Sequence, residues 1–169
     1  MTPAALHPVG RDLSERELLE LVCDLAGRPG LWRPRVPDLD GDRSYEELIR
    51  EQHLSVWLIA WAHGGDTGFH DHDLSSGAVG VIEGGVREDR LVVAGFPTSR
   101  VVKAGGAFSF AASDIHRVTH AGRGPALTLH AYSPPLWRMG AYELTDDGGL
   151  RRHSISYAEE LRPIGGVAA

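Results

Sequence analysis

The chain of 169 residues has one cysteine, Cys23, so no disulfide can form within it. Cys23 falls in a stretch with helical periodicity, where a lone thiol is expected as a small buried hydrophobe. No run approaches the roughly 18 apolar residues that a membrane helix needs. The opening residues 1–11 have no apolar segment of the kind that marks a secretory signal, and a cytoplasmic protein is expected. There is no excess of positive charge: the net charge is −6, which argues against nucleic acid and anionic membrane as partners. Repeats and low-complexity tracts are absent too. The length suits one domain, 1–169, with a core of its own.

Against these scarcities stand nine histidines: His7, His53, His63, His70, His72, His116, His120, His130 and His153. The chain opens with a helical signal. Ser14 followed by Glu17 is a capping box. Leu18, Leu21, Val22 and Leu25 recur at helical spacing, and Gly27 marks the stop. Residues 30–42 read as a Pro- and Gly-rich loop, and 45–50 as a short helix. Beyond them come short apolar runs at 56–62, 77–83, 90–93, 101–102, 108–110, 117–119, 126–133, 141–144 and 153–157. Many short strands punctuated by Gly and Pro predict an all-β sandwich or barrel. The expected architecture is therefore a helical part over about 12–50 and a barrel over about 54–157.

His70 and His72 stand two apart, so on a strand both face one side and can meet one metal ion. His116 supplies a third neutral nitrogen. Gly64, Gly77 and Gly84 fit the ends of a strand pair. The order Gly-x5-His-x-His, then Gly-x6-Gly, then a glycine-led strand and a His, resembles the two cupin motifs. That resemblance implies a mainly β, jelly-roll-like cupin barrel with a small N-terminal helical segment. The usual fourth ligand, a Glu, is replaced at Ser76 and Gly77, and the usual Pro-x-Gly of the second motif by Ala112, Ser113 and Asp114. Three neutral ligands leave an ion its full charge and open positions, unlike the two-histidine, one-carboxylate triad.

Further on, Thr128, His130 and Tyr132 alternate on one face of a strand, with Leu127, Leu129 and Ala131 on the other. A chain of hydrogen bonds from the Thr128 hydroxyl through His130 to the Tyr132 phenol would satisfy the first set. The same three residues would make an ordinary buried polar cluster. Taken with the HDH at His70–His72 and the IHRV at His116, the segment LTLHAYSPP resembles the cysteine dioxygenase family of thiol dioxygenases, in their bacterial form. The resemblance implies Fe(II) on His70, His72 and His116, a small thiol and O₂ as partners, and a sulfinic acid as product. It also implies a catalytic relay of Thr128, His130 and Tyr132. Where the family's relay begins with Ser, this chain has Thr128. Where animal members carry a Cys that crosslinks to the tyrosine, it has Gly77.

The family's Tyr-x-Arg, whose Arg grips a substrate carboxylate, corresponds to Tyr45-Glu46-Glu47. Tyr45, Glu47 and Arg43 are thus the candidate substrate contacts. A carboxylate at Glu47 would repel an acid and attract an amine; Arg43, Arg50 and Arg138 are the cations at hand if an acid is bound. Cysteine, an aminothiol, a 3-mercapto acid and a cysteine-derived intermediate of a specialised pathway all remain candidates. Two other readings stay open: a cupin oxygenase with a different substrate, and a cupin that binds a metal or metabolite without catalysis. Three histidines would accept iron, nickel, manganese or cobalt. Of the remaining residues, His63 is expected in a turn beside Gly64, with the barrel mouth as the alternative, His120 at an edge hydrogen bond, and His7, His53 and His153 at the surface. Trp57, Trp61 and Trp137 are expected in the core or cavity wall, and Glu83 and Glu88 as solvated hairpin residues.

Overall fold

A computed structural model describes residues 10–92, 95–146 and 149–156; His7, Val93 and Tyr157 lie outside these. Helix α1 (Glu15–Ala26) begins at the capping box, with Ser14 Oγ accepting from the Glu17 amide and the Glu17 carboxylate accepting from the Ser14 amide. It closes at Gly27, which keeps right-handed helical geometry at φ −72°. Leu18, Leu21, Val22 and Leu25 form its buried face. Cys23 lies a third of a turn off that stripe and is exposed, which corrects the expectation of a buried thiol. The segment read as a loop holds a single turn, α2 (Pro29–Trp32), and a 3₁₀ turn (Arg33–Arg35).

The stretch 45–50, read as a short helix, is instead part of strand β1 (Arg43–Arg50). It pairs antiparallel with β2 (Ser55–Trp61), Tyr45 opposite Ile59. Edge pairing overrides the helical propensity of Glu46, Glu47 and Leu48. The strands that follow are β3 (Phe69–Asp71), β4 (Ser76–Glu83), β5 (Gly85–Leu91), β6 (Thr98–Lys103), β7 (Ala107–Phe110), β8 (Ile115–His120), β9 (Ala126–Ser133), β10 (Arg138–Leu144) and β11 (Leu150–Ser156). They form two antiparallel sheets, ordered β1-β2-β9-β4-β7 and β11-β10-β3-β8-β5-β6.

Strand β2 shows how the sequence divides the core. All seven of its residues are buried, and period two sends them to opposite sides. Val56, Leu58 and Ala60 join Leu127, Leu129 and Ala131 of β9 beneath α1. Trp57, Ile59 and Trp61 face inward with Val79, Phe108, Phe110 and Val118. The helix therefore covers the outer face of the first sheet, and the space between the sheets holds the second core and the histidines. Trp57 and Trp61 belong to that core, whereas Trp137 is 72% exposed, contrary to expectation.

Candidate metal centre

The short strand β3 is held in place by Asp71. The Asp71 carboxylate accepts from Arg152 Nε at 2.7 Å, the Tyr142 hydroxyl at 2.6 Å and the amides of Asp73 and Gly140. Burial opposes the charge, yet these partners hold the carboxyl well below the usual carboxylate range. With Asp71 facing outward, its neighbours face inward. His70 lies opposite His116 of β8, and His72 follows at the end of the strand.

The three side chains are buried, at 4%, 1% and 1% exposure. Their ring centroids lie 4.7 to 5.1 Å apart, and one nitrogen from each falls within 4.8 Å of the others. His70 Nδ1 sits 3.0 Å from the Gly68 carbonyl, and His116 Nδ1 2.8 Å from Glu88 Oε1. Both contacts leave Nε2 for the shared space. His72 stacks on Phe110 at 4.4 Å. Burial first, then the neighbouring imidazoles, keeps His72 and His116 well below the ordinary imidazole range. Neutral, converging nitrogens are the donors that a divalent first-row ion requires, so the residues present fit a metal.

Glu88 is 2% exposed, which corrects its reading as a solvated hairpin residue; Glu83 does lie at the surface. Alternation in β5 carried the missed signal, because Val86 and Glu88 share the inward face of a strand whose Arg87 is exposed.

The cavity in front of the histidines measures about 30 Å³. His130 and Tyr132 line it, as do Arg43, Tyr45, Trp57 and Leu136. Thr128 Oγ1 accepts from Trp61 Nε1 at 2.8 Å and lies 3.0 Å from His130 Nε2; His130 Nδ1 lies 3.3 Å from the Tyr132 hydroxyl. The polar row is therefore contiguous, with Trp61 as a member that sequence reading left in the core. Burial, with the charges of His70 and Arg43, pushes His130 down to about 3.

Arg43 is 4% exposed, and its guanidinium lies over the rings of Tyr45 and Trp61. Among the described residues, no Asp or Glu lines this cavity. Glu47 is not brought into it: its carboxylate accepts from Arg50 Nε at 2.6 Å. Arg138 lies 3.6 Å from Asp73 and is exposed. His63 and His120 make an edge-on ring contact. His53 pairs with Asp12 and His153 with Glu143, both away from the cavity.

No helix among the described residues is long and apolar enough to cross a membrane. No curated protein matches this chain. Among solved structures, an oxalate oxidase in complex with glycolate aligns over 60% of this chain at 18% identity and a TM-score of 0.52. The chain spans 56% of that protein's length. KdgF from Halomonas sp. aligns over 58% of this chain and 85% of its own at 15% identity and a TM-score of 0.50. The cupin domain of Cnp3 from Schizosaccharomyces pombe aligns over 60% of this chain and 71% of its own at 12% identity and a TM-score of 0.53. At such identities the likeness establishes the cupin fold alone. The model of one family, cysteine dioxygenase type I, matches residues 32–145, about two thirds of the sequence, and the chain belongs to that family.

Proposed function

We propose that this protein is an Fe(II)-dependent thiol dioxygenase whose substrate is a small thiol bearing a carboxylate, such as cysteine or a 3-mercapto acid, and whose product is the sulfinic acid. The observation that carries the substrate class is Arg43, among the described residues the one side chain of fixed charge lining a cavity shared with three converging histidines. The Arg43 charge already helps hold Asp66 ionised, and a planar guanidinium facing the cavity can take a substrate carboxylate as a further partner. An amine would find no acidic partner among the described residues that line this cavity, so an aminothiol lacking the acid group is a poor match.

His70, His72 and His116 would hold the iron, which would supply the redox chemistry that brings thiol sulfur and O₂ to reaction. The chain's own residues orient and protect. Arg43 fixes the acid end of the substrate, while Trp57, Leu136 and Met139 keep water from the sulfur. Within the polar row, the Thr128 hydroxyl already accepts from Trp61. Its single proton goes to the nearer acceptor, His130 Nε2, rather than to the Ile59 carbonyl at 3.5 Å. His130 then carries its proton on Nδ1 and donates to the Tyr132 oxygen, leaving Tyr132 as a donor toward the cavity. A proton held there can steady negative charge that develops on oxygen or sulfur during transfer. Gly77 beside this tyrosine leaves no thiol for a crosslink.

The deciding experiment is anaerobic Fe(II) loading followed by O₂ uptake with cysteine, 3-mercaptopropionate and cysteamine, and mass analysis of the products. Uptake with the two acids, a gain of two oxygens and little turnover of cysteamine are expected. Arg43→Gln should raise KM for the acids by about a hundredfold and leave cysteamine unaffected. Uptake with cysteamine alone would reverse the assigned substrate class. Iron binding without uptake on any thiol would favour an oxygenase of another substrate, or a binding protein.

A further inference from the structure

The three histidines have unequal partners behind them. His70 Nδ1 meets a neutral backbone carbonyl, and the buried His72 Nδ1 has no hydrogen-bond partner among the described residues. His116 Nδ1 meets a carboxylate, Glu88 Oε1, at 2.8 Å. That carboxylate is itself held on both oxygens: Arg90 Nη2 reaches Oε1 at 2.9 Å, and Arg100 Nε reaches Oε2 at 2.6 Å. Arg90 continues to Asp114 at 2.9 Å, and the Arg100 guanidinium caps the Phe108 ring at 4.8 Å. Strand register builds the group, since β5 lies between β6 and β8. Glu88 stands opposite Arg100 on one side, and Arg90 stands opposite His116 on the other.

A carbonyl would suffice to fix the tautomer of a ligating imidazole. A carboxylate adds negative charge, which makes the far nitrogen a stronger donor. Two arginines on the same carboxylate draw part of that charge away. We infer that Glu88 is a positioning residue of the metal centre: it holds His116 as the Nδ1–H tautomer with Nε2 turned inward and strengthens that nitrogen as a ligand, while Arg90 and Arg100 limit how far it does so. The inference rests on reading His70, His72 and His116 as metal ligands. It also means that the missing fourth ligand of the cupin pattern is replaced in charge, one bond network further out, on a strand outside both cupin motifs.

The test uses full-length protein stripped with a chelator and titrated with Co(II), whose visible absorption reports its ligands. Glu88→Gln keeps an acceptor oxygen and removes the charge. It should weaken Co(II) binding about 10- to 100-fold and shift the visible bands, with the metal-free variant still melting cooperatively. Arg100→Gln should move affinity and bands in the opposite direction, because Glu88 then gives more of its charge to His116. A folded Glu88→Gln variant with affinity within about twofold of the parent and unmoved bands overturns the assignment. If Glu88→Gln does not fold, Arg100→Gln decides, and an unmoved spectrum overturns it. Co(II) binding that follows the expected pattern in a protein inactive on every thiol would sustain Glu88 and refute the proposed activity. Failure of the parent protein to bind Co(II) or Fe(II) would refute both.

Discussion

Acid should destabilise the metal-free protein before any carboxylate is protonated. His130 is buried and pushed down to about 3, against about 6.5 in an unfolded chain. The unfolded state therefore takes up the proton first as pH falls. The stability that neutral His130 contributes is complete above about pH 6.5 and is lost progressively towards pH 3. Between about pH 7.5 and pH 5 the loss from this residue is about 2 kcal/mol, the free energy of protonating only the unfolded imidazole. His72 and His116 shift in the same direction and enlarge it. Asp66 and Asp71 are held low as well, but their contribution is lost only near the ordinary carboxylate range of about 4. The interval above pH 5 thus isolates the histidines. Urea unfolding of chelator-stripped protein at the two pH values should show a midpoint lower by about 1 M or more at the acid end. His130→Gln should flatten that dependence by its share. Equal midpoints would refute the placement of these imidazoles in a dry, neutral cluster.

Other expectations concern the site and its scaffold. Tyr132→Phe should keep full metal content, measured by plasma emission, while initial rates fall about tenfold or more; normal turnover would remove the polar row from the chemistry. Asp71→Asn should cost about 1–2 kcal/mol in chemical unfolding, because the buried carboxylate loses charged hydrogen bonds from Tyr142 and from the solvent-screened Arg152, and should weaken metal retention through β3. Gly77→Cys should lower the melting temperature by overpacking of about 1–3 kcal/mol, with Phe110→Leu in the same chain restoring most of it. An unchanged melt of the single variant would show that Phe110 moves aside freely.

What the sequence made legible follows from periodicity. The H-x-H pair, the two-faced β9 and the capped α1 each repeat at the spacing of their element, and the structure places their side chains accordingly. The misreadings arose where tertiary context outweighed a local signal. Residues 45–50 carry helix formers but pair along β2, which places Arg43 and Tyr45 on one inward face. Glu88 looked solvated because charged residues in hairpins usually are; Arg90 lies two residues on in the same strand, but Arg100 and His116 come from the two flanking strands and no local spacing connects them to Glu88. Cys23 was misplaced by residue type, although the angle between it and the Leu18–Val22 stripe points it outward. Trp137 follows Pro134 and Pro135 beyond the end of β9, where alternation no longer specifies a face.

Gly77 and Phe110 form one packing decision shared by two positions. The Phe110 ring occupies the volume that any side chain at 77 would need, and the same ring stacks on His72. A lineage starting from this sequence would acquire a cysteine beside Tyr132 in one step only by displacing Phe110 from its place against His72; relief comes if position 110 shrinks first, which loosens a histidine of the metal cluster before any benefit arrives. The order of substitutions is constrained by sterics, and the uncrosslinked tyrosine is in this sense an inherited condition of the core.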